Sequence, residues 1–163
     1  MTSLPPPRNA GRYAIALVCL GNICRSPTAH VVLEARLAEA GLDDRVDVQS
    51  SGTGDWHVGR PMDARAAATL TEAGYDPSRH RARQYDDSWS GDHDLVLAMD
   101  HDNLADLGGR SERVALFRDF DPVDPGADVP DPYYGGADGF REVLAITERT
   151  SDALVASLRV LLA

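Results

Sequence analysis

A short apolar run that leads into a cysteine and a compact turn constrains the fold of this chain more than any other segment. Residues 14–18 read Ala-Ile-Ala-Leu-Val, which has the length and texture of a strand buried on both faces. Ser26 and Pro27 follow the turn and are the preferred residue types for the cap and the first position of a helix. The sequence therefore predicts a buried strand that passes through a short loop directly into a helix.

Predicted strands and helices also alternate along the rest of the chain. The predicted elements are strands near 13–19, 46–48, 94–99 and 114–117, and helices near 26–40, 61–73 and 101–107, with a final helix whose apolar stripe runs from 140 to 162. Alternating strands and helices favour a parallel sheet covered on both faces. We expect one α/β domain over residues 12–163 with a four-stranded parallel sheet. Residues 1–11, with three consecutive prolines, are predicted to be a disordered tail.

The loop after the first strand has the residues of an anion cradle. It reads Cys-Leu-Gly-Asn-Ile-Cys-Arg-Ser from Cys19 to Ser26. Successive backbone N–H groups in such a turn, together with a helix N-terminus, converge on a tetrahedral anion. Ligands of open parallel sheets bind beyond the carboxyl ends of the strands, which is where Cys19 falls. The sequence predicts a phosphate-binding loop formed by Leu20, Gly21, Asn22, Ile23, Cys24 and Ser26.

Cys19 and Arg25 add reaction chemistry to this loop. The converging donors are expected to stabilise a Cys19 thiolate, which can attack phosphorus in line. The planar guanidinium of Arg25 can hold two equatorial oxygens, as a lysine cannot. Ser26 is close enough to assist the sulfur when it departs. The alternative, a buried small cysteine beside a capping serine, leaves Gly21, Asn22 and Arg25 unexplained.

Residues 18–27 resemble the active-site loop of the low-molecular-weight protein tyrosine phosphatases. The similarity continues in that family's order, beyond the first dozen residues, through short motifs at 50–53, 56–59, 63–66, 80–84, 99–100 and 131–134. One departure is His30, where the family usually has Glu. We expect it to affect helix packing or charge and not the reaction.

The resemblance implies hydrolysis of protein phosphotyrosine through a cysteinyl-phosphate intermediate. Phosphotyrosine-containing proteins are then the substrates, and phosphate and vanadate-like oxyanions are ligands. No cofactor is implied. Ile23 agrees with an aryl ester because its side chain is apolar, whereas arginine-phosphatase relatives tend to carry Thr at that position.

Three Asp-Pro dipeptides, beginning at Asp121, Asp124 and Asp131, are candidates for a general acid. Residue types alone do not choose among them, since Asp-Pro is common in turns. Tyr133 and Tyr134 follow Asp131 directly and could form one wall of a slot for a flat ring. The family resemblance places the acid at Asp131, which would afterwards serve as the base that activates water.

Four residues receive roles from the resemblance, and Cys24 receives one from thiol chemistry. Trp56 could be a hydrophobic plug over a core edge, but the resemblance favours a second substrate-facing wall. Asn22, Ser50 and His80 match residues that hold the loop by hydrogen bonds. Cys24 is either a small filler or, as we favour, a partner that traps oxidised Cys19 as a reversible disulfide.

Composition excludes several other functions. The formal net charge is −10, which makes nonspecific nucleic-acid binding unfavourable. All 16 basic residues are arginines, so a lysine Schiff base and a Walker-type lysine are excluded. There is neither an apolar run long enough for a membrane helix nor a charged-then-apolar leader. We expect no nucleic-acid or membrane partner and a cytoplasmic location; secretion without a signal and the oligomeric state stay open.

Three competing interpretations are weaker. Two Asp-His-Asp triplets suggest a metal, but His93 and His101 flank a strand and would be about 26 Å apart when extended, too far for one ion. We therefore expect no metal site. Arsenate reduction by a thiol relay needs cysteines beyond Cys24, and the sequence has none. A non-catalytic phosphotyrosine-binding module would need neither the nucleophile Cys19 nor the acid Asp131.

Overall fold

The computed structural model describes residues 3–163. Its elements are β1 (Tyr13–Cys19), α1 (Arg25–Glu39), β2 (Val46–Gly52), α2 (Ala64–Glu72), α3 (Trp89–Asp92), β3 (Leu95–Ala98), α4 (His101–Asp106), β4 (Val114–Leu116), a 3-10 turn (Phe117–Phe120) and α5 (Ala137–Leu161). The strands are parallel and lie in the order β2-β1-β3-β4. The predicted α/β class and four-stranded parallel sheet are confirmed.

The alternation of side chains along β1 explains why its sequence is apolar throughout. Ile15 and Leu17 pack into a core shared with α1 and α5. Ala16 and Val18 point to the opposite face, where they pack with Leu104 of α4. Both faces of the central strand are therefore covered by helices, and a polar residue on either face would be buried. Within the described range, no helix combines the length and apolar character that a membrane crossing requires.

The structure differs from the sequence prediction at several boundaries. β2 extends to Gly52 because Ser50 and Ser51 pair with the last residues of β1, although polar residues gave no strand signal. The short helix α3 was not predicted. Phe117 opens the 3-10 turn and does not belong to β4.

The prediction of a disordered tail over residues 1–11 is wrong for residues 3–11, and residues 1–2 lie outside the described part of the chain. Pro5 is buried, and its carbonyl accepts a hydrogen bond from the Tyr13 hydroxyl at 2.9 Å. The backbone N–H of Arg8 donates to Asp94 at 2.6 Å, and Arg113 donates to the Pro6 carbonyl at 2.9 Å. The prolines restrict this segment, so it packs across the amino ends of the strands at a low cost in conformational entropy.

Gly52 brings the end of β2 against the loop that follows β1. A Cβ atom at this position would lie 2.6 Å from the Leu20 carbonyl oxygen and 3.0 Å from the Asn22 nitrogen. These are backbone atoms, which cannot move aside as a flexible side chain would. The absence of a side chain at Gly52 therefore allows the two segments to approach as closely as they do.

Candidate active site

A cavity of about 410 Å³ opens beyond the carboxyl end of β1. Three separate segments line it, with Cys19, Leu20, Gly21, Ile23, Cys24 and Arg25 from the loop, Trp56 and His57 after β2, and Asp131, Tyr133 and Tyr134 before α5. Cys19 is only 2% exposed and still lines the cavity, so it lies at the inner end. Asn22 and Ser26, both predicted to bind substrate, are fully buried and do not line the cavity.

The Cys19 sulfur lies among polar groups that suit a thiolate. The backbone N–H of Asn22 donates to Sγ at 3.3 Å, and the Ser26 hydroxyl lies 3.0 Å from the same atom. Asn22 has a φ of 57° and is the only described non-glycine residue with a positive φ. Asparagine tolerates this left-handed conformation, which turns its N–H group inward, towards the sulfur.

Arg25 is 3% exposed, and acidic and carbonyl groups hold its guanidinium. Nη1 donates to Asp100 Oδ2 at 2.5 Å and to the Val129 carbonyl at 3.2 Å, and Nη2 lies 3.7 Å from Asp131 Oδ2. Burial acts to lower the pKa of Arg25, but the facing Cys19 and Asp100 raise it overall. Arg25 therefore stays charged at the cavity wall.

Asp100 is a functional residue that the sequence reasoning missed. Its carboxylate caps α4 by accepting from the Asn103 N–H at 2.7 Å and binds Arg25 with its other oxygen. A signal was available, since Asp100 follows β3 at the same sheet edge at which Cys19 ends β1. The carboxyl ends of parallel strands meet there, so the two residues are neighbours in space.

The structure separates the three Asp-Pro candidates. Asp121 is buried, and although burial raises its pKa, hydrogen bonds from Arg149 and Arg118 bring the pKa well below the usual range. Asp124 is exposed and lies 3.8 Å from Arg118, away from the cavity. Of the three, only Asp131 lines the cavity. Its side chain is 42% exposed.

Aromatic rings form the outer part of the cavity. Trp56 is 69% exposed, and its ring rests on Gly54, where a Cβ would lie 2.0 Å from a ring atom. Tyr133 and Tyr134 meet edge to face with centroids 5.0 Å apart. His57, which the sequence analysis did not select, also lines the cavity, 6.5 Å from Tyr133 between ring centroids.

The residues predicted to support the loop lie around Asn22. The Nε2–H of His80 donates to the Asn22 carbonyl at 2.7 Å, and the Asn22 amide donates to Ser50 Oγ at 3.1 Å. His30 Nδ1 lies 3.1 Å from the same Ser50 oxygen, and its Nε2 lies 3.3 Å from Glu34. His30 therefore contacts the support network of the loop, in addition to the effect on helix packing or charge that was expected from sequence.

His80 makes the stability of the fold depend on pH. Burial lowers the pKa of His80 to about 4, against about 6.5 in an unfolded chain. The unfolded state then binds the proton first, so this contribution is complete above pH 6.5 and is lost as the pH falls towards 4. Between pH 7 and pH 5 the free energy of unfolding should fall by about 2 kcal/mol from this group alone. Urea titrations at both pH values should show that His80→Gln removes this part of the fall.

The exposed His101 provides the control for that measurement. His101→Gln should keep the part of the acid-induced loss of stability that comes from His80, because it leaves that buried ring in place. An unchanged pH dependence in His80→Gln would contradict the assignment.

Cys24 is a free, buried thiol. Burial raises its pKa, and the nearby Asp63 and Cys19 raise it further. Cys24 is therefore protonated at neutral pH. Its role as a partner that traps oxidised Cys19 stays a prediction.

Comparisons with known proteins agree with this geometry. A family model described as low molecular weight phosphotyrosine protein phosphatase matches residues 14–161. The chain is 44% identical to a low molecular weight protein-tyrosine-phosphatase of Streptomyces coelicolor, covering 90% of this chain and 94% of the relative. It is also 44% identical to low molecular weight protein-tyrosine phosphatase A of Mycobacterium tuberculosis, covering 82% of this chain and 84% of the relative.

A solved structure shows the same similarity in three dimensions. The protein tyrosine phosphatase of Entamoeba histolytica, crystallised with Hepes in its active site, superposes with a TM-score of 0.85 and 32% identity. The match covers 90% of this chain and 97% of that one. The chain belongs to the low molecular weight phosphotyrosine protein phosphatases, and it is a protein-tyrosine-phosphatase.

Proposed function

We propose that this phosphatase works through a cysteinyl-phosphate intermediate, with Cys19 as the nucleophile, Arg25 as the clamp on the transferred group and Asp131 as the general acid and base. The observation that carries the proposal is that these three side chains line one cavity although Cys19 and Asp131 are 112 positions apart in the sequence. A nucleophile, a fixed cation and an exposed carboxyl group around one space are what transfer of a phosphoryl group requires.

In the first step the Cys19 thiolate attacks phosphorus, forming the S–P bond as the bond from phosphorus to the phenolic oxygen breaks. Arg25 holds two equatorial oxygens with its planar fork, and the N–H groups of the loop hold the third. The departing tyrosine oxygen takes its proton from the Asp131 carboxyl group. Proton transfer of this kind contributes about 10²–10⁴-fold.

In the second step the Asp131 carboxylate takes a proton from a water molecule, whose oxygen attacks phosphorus. The S–P bond breaks, and the sulfur leaves as a thiolate while inorganic phosphate is released. The Ser26 hydroxyl, 3.0 Å from Sγ, can donate a hydrogen bond to the departing sulfur. None of these steps calls for a metal ion or a cofactor.

The walls of the cavity favour an aromatic ester. Trp56, Tyr133 and Tyr134 present flat rings at the opening, and Ile23 presents an apolar side chain beside the loop. Hepes in the active site of the Entamoeba relative is a sulfonate, a tetrahedral anion comparable to phosphate. We propose the same oxyanion site here, filled by phosphotyrosine proteins, phosphate or vanadate, in a cytoplasmic enzyme with both cysteines as free thiols.

The proposed function is tested with phosphopeptides that share one sequence and differ in the modified residue. Phosphotyrosine should be hydrolysed in the presence of EDTA with kcat/KM at least about 100-fold above that for phosphoserine or phosphoarginine, because only the phenyl ring fills the aromatic opening. Release of phosphate is the measurement. A preference for either of the other two peptides would contradict the aromatic slot.

The acid is tested with Asp131→Asn and aryl phosphates of different leaving groups. The variant should lose about 10²-fold or more in kcat/KM for phenyl phosphate, whose phenolate is a poor leaving group, and much less for 4-nitrophenyl phosphate. Asp124→Asn, which changes an exposed Asp of the same segment, is the matched control and should behave as the unsubstituted enzyme. Equal losses for both substrates would refute the assignment of Asp131.

A further inference from the structure

Asp63 connects the start of α2 to the loop formed by residues 20–24, called here the phosphate loop. Its backbone N–H donates to the Ile23 carbonyl at 2.9 Å. Its carboxylate accepts from the guanidinium of Arg65, with Nε at 3.2 Å and Nη2 at 3.1 Å. The Asp63 side chain is 11% exposed, whereas that of Arg65 is 46% exposed. Arg65 is thus fixed relative to the phosphate loop.

The same guanidinium reaches residues 130–136, called here the acid loop. Arg65 Nη2 donates to the Tyr133 carbonyl at 2.8 Å. Its Cζ lies 5.5 Å from the Tyr133 ring centroid and 4.8 Å from that of Phe140 at the start of α5. Arg65 therefore holds both the backbone and the ring of Tyr133.

Tyr133 in turn orients the carboxyl group of Asp131. The backbone N–H of Tyr133 donates to Asp131 Oδ1 at 3.0 Å, while Asp131 Oδ2 lies 3.7 Å from Arg25. No helix or strand includes residues 130–136. The direction of the carboxyl group depends on the position of Tyr133, and that position depends on Arg65.

We propose that Arg65 is a positioning residue for Asp131, which ties the acid loop to the phosphate loop through Asp63 and Tyr133. The inference rests on the proposed role of Asp131 as the general acid. Arg65 does not line the cavity, so it acts only through these contacts. A planar fork is needed because one side chain must bind a carboxylate and a carbonyl at fixed angles, which a single ammonium group does not do.

The test compares the activities of Arg65→Ala and Arg159→Ala towards phenyl phosphate and 4-nitrophenyl phosphate. Arg159→Ala is the control, because it removes an exposed arginine near the end of α5. Arg65→Ala should lower kcat/KM for phenyl phosphate roughly tenfold and for 4-nitrophenyl phosphate by about twofold or less, because misplacement of a catalytic group costs most where that group is needed. Arg159→Ala should change neither. Arg65→Lys should fall between Arg65→Ala and the unsubstituted enzyme.

The double variant Arg65→Ala with Asp131→Asn separates positioning from general damage. If Arg65 acts through Asp131, adding Arg65→Ala to Asp131→Asn lowers kcat/KM for phenyl phosphate by no more than about twofold. A double variant tenfold less active than Asp131→Asn, equal losses for both substrates in Arg65→Ala, or full activity in Arg65→Lys would overturn the proposal. If Asp131→Asn discriminates between the leaving groups and Arg65→Ala does not, the positioning role alone fails. If Asp131→Asn does not discriminate, the acid assignment fails and the positioning role fails with it.

Discussion

Cys19→Ser is expected to lower kcat for 4-nitrophenyl phosphate by about 10⁵-fold or more, as removal of a nucleophile does in other hydrolases. A serine hydroxyl is a much weaker nucleophile than a cysteine sulfur, and the Cys19 Sγ accepts the Asn22 N–H at 3.3 Å and lies 3.0 Å from the Ser26 hydroxyl. The measurement is steady-state release of 4-nitrophenol, compared with circular dichroism to establish that the variant is folded.

Binding should survive this substitution, since Arg25 and the N–H groups of the phosphate loop remain. Calorimetry with a phosphotyrosine peptide should give a Kd within about tenfold of the KM of the unsubstituted enzyme. Cys24→Ser is the matched control, and it should cause a far smaller loss because Cys24 is a buried, protonated thiol. Substantial turnover by Cys19→Ser, or an equal loss in Cys24→Ser, would contradict the assignment of the nucleophile.

The strand, loop and helix around Cys19 could be predicted from the sequence because their geometry is set locally. Five apolar residues require burial of β1 on both faces, and Ser26 and Pro27 predict where α1 begins to within about two residues. The cap is Cys24 and not Ser26. The left-handed conformation at Asn22 follows from the same short segment. Local backbone preferences and local hydrogen bonds agree here, so little depends on distant contacts.

The contacts that complete the site join segments far apart in sequence, and these could not be predicted. Arg25 and Asp100 meet because β1 and β3 are neighbours in the sheet. Neither segment alone predicts which strands will pair. Asp131 is distinguished from Asp121 only by position, since both precede a proline in the same long connection. The choice between them came from a family resemblance, and the cavity lining supports it.

In the N-terminal segment the sequence predicts disorder where the structure shows packed residues. Proline-rich composition is typical of disorder, yet Pro5 is buried and Arg8 bonds to Asp94. Composition shows how many residues oppose regular structure. It does not show which backbone carbonyls accept hydrogen bonds from side chains elsewhere in the fold. Tyr13 uses one of these carbonyls for its hydroxyl group.

Arg25→Lys is expected to lower kcat/KM for 4-nitrophenyl phosphate by about 10³-fold or more, the range found when a charge-stabilising group is removed from a phosphoryl-transfer or oxyanion site. An ammonium group cannot hold two equatorial oxygens in one plane. It also cannot satisfy Asp100 and the Val129 carbonyl as the guanidinium does, at 2.5 Å and 3.2 Å. The measurement is steady-state kinetics well below the melting temperature, with urea titration of the same sample.

Asp100→Asn separates the two roles of this arginine. It leaves the guanidinium in the cavity but replaces the charged partner by a neutral oxygen acceptor, so the loss in kcat/KM should be much smaller than in Arg25→Lys. Both variants disturb the same buried ion pair and should lose stability, because removing one partner leaves the other poorly compensated. If catalysis followed stability, the two variants would lose activity in proportion to their unfolding free energies. We expect instead that Arg25→Lys loses far more activity than Asp100→Asn at comparable stability, since only the fork of Arg25 faces the transferred phosphoryl group.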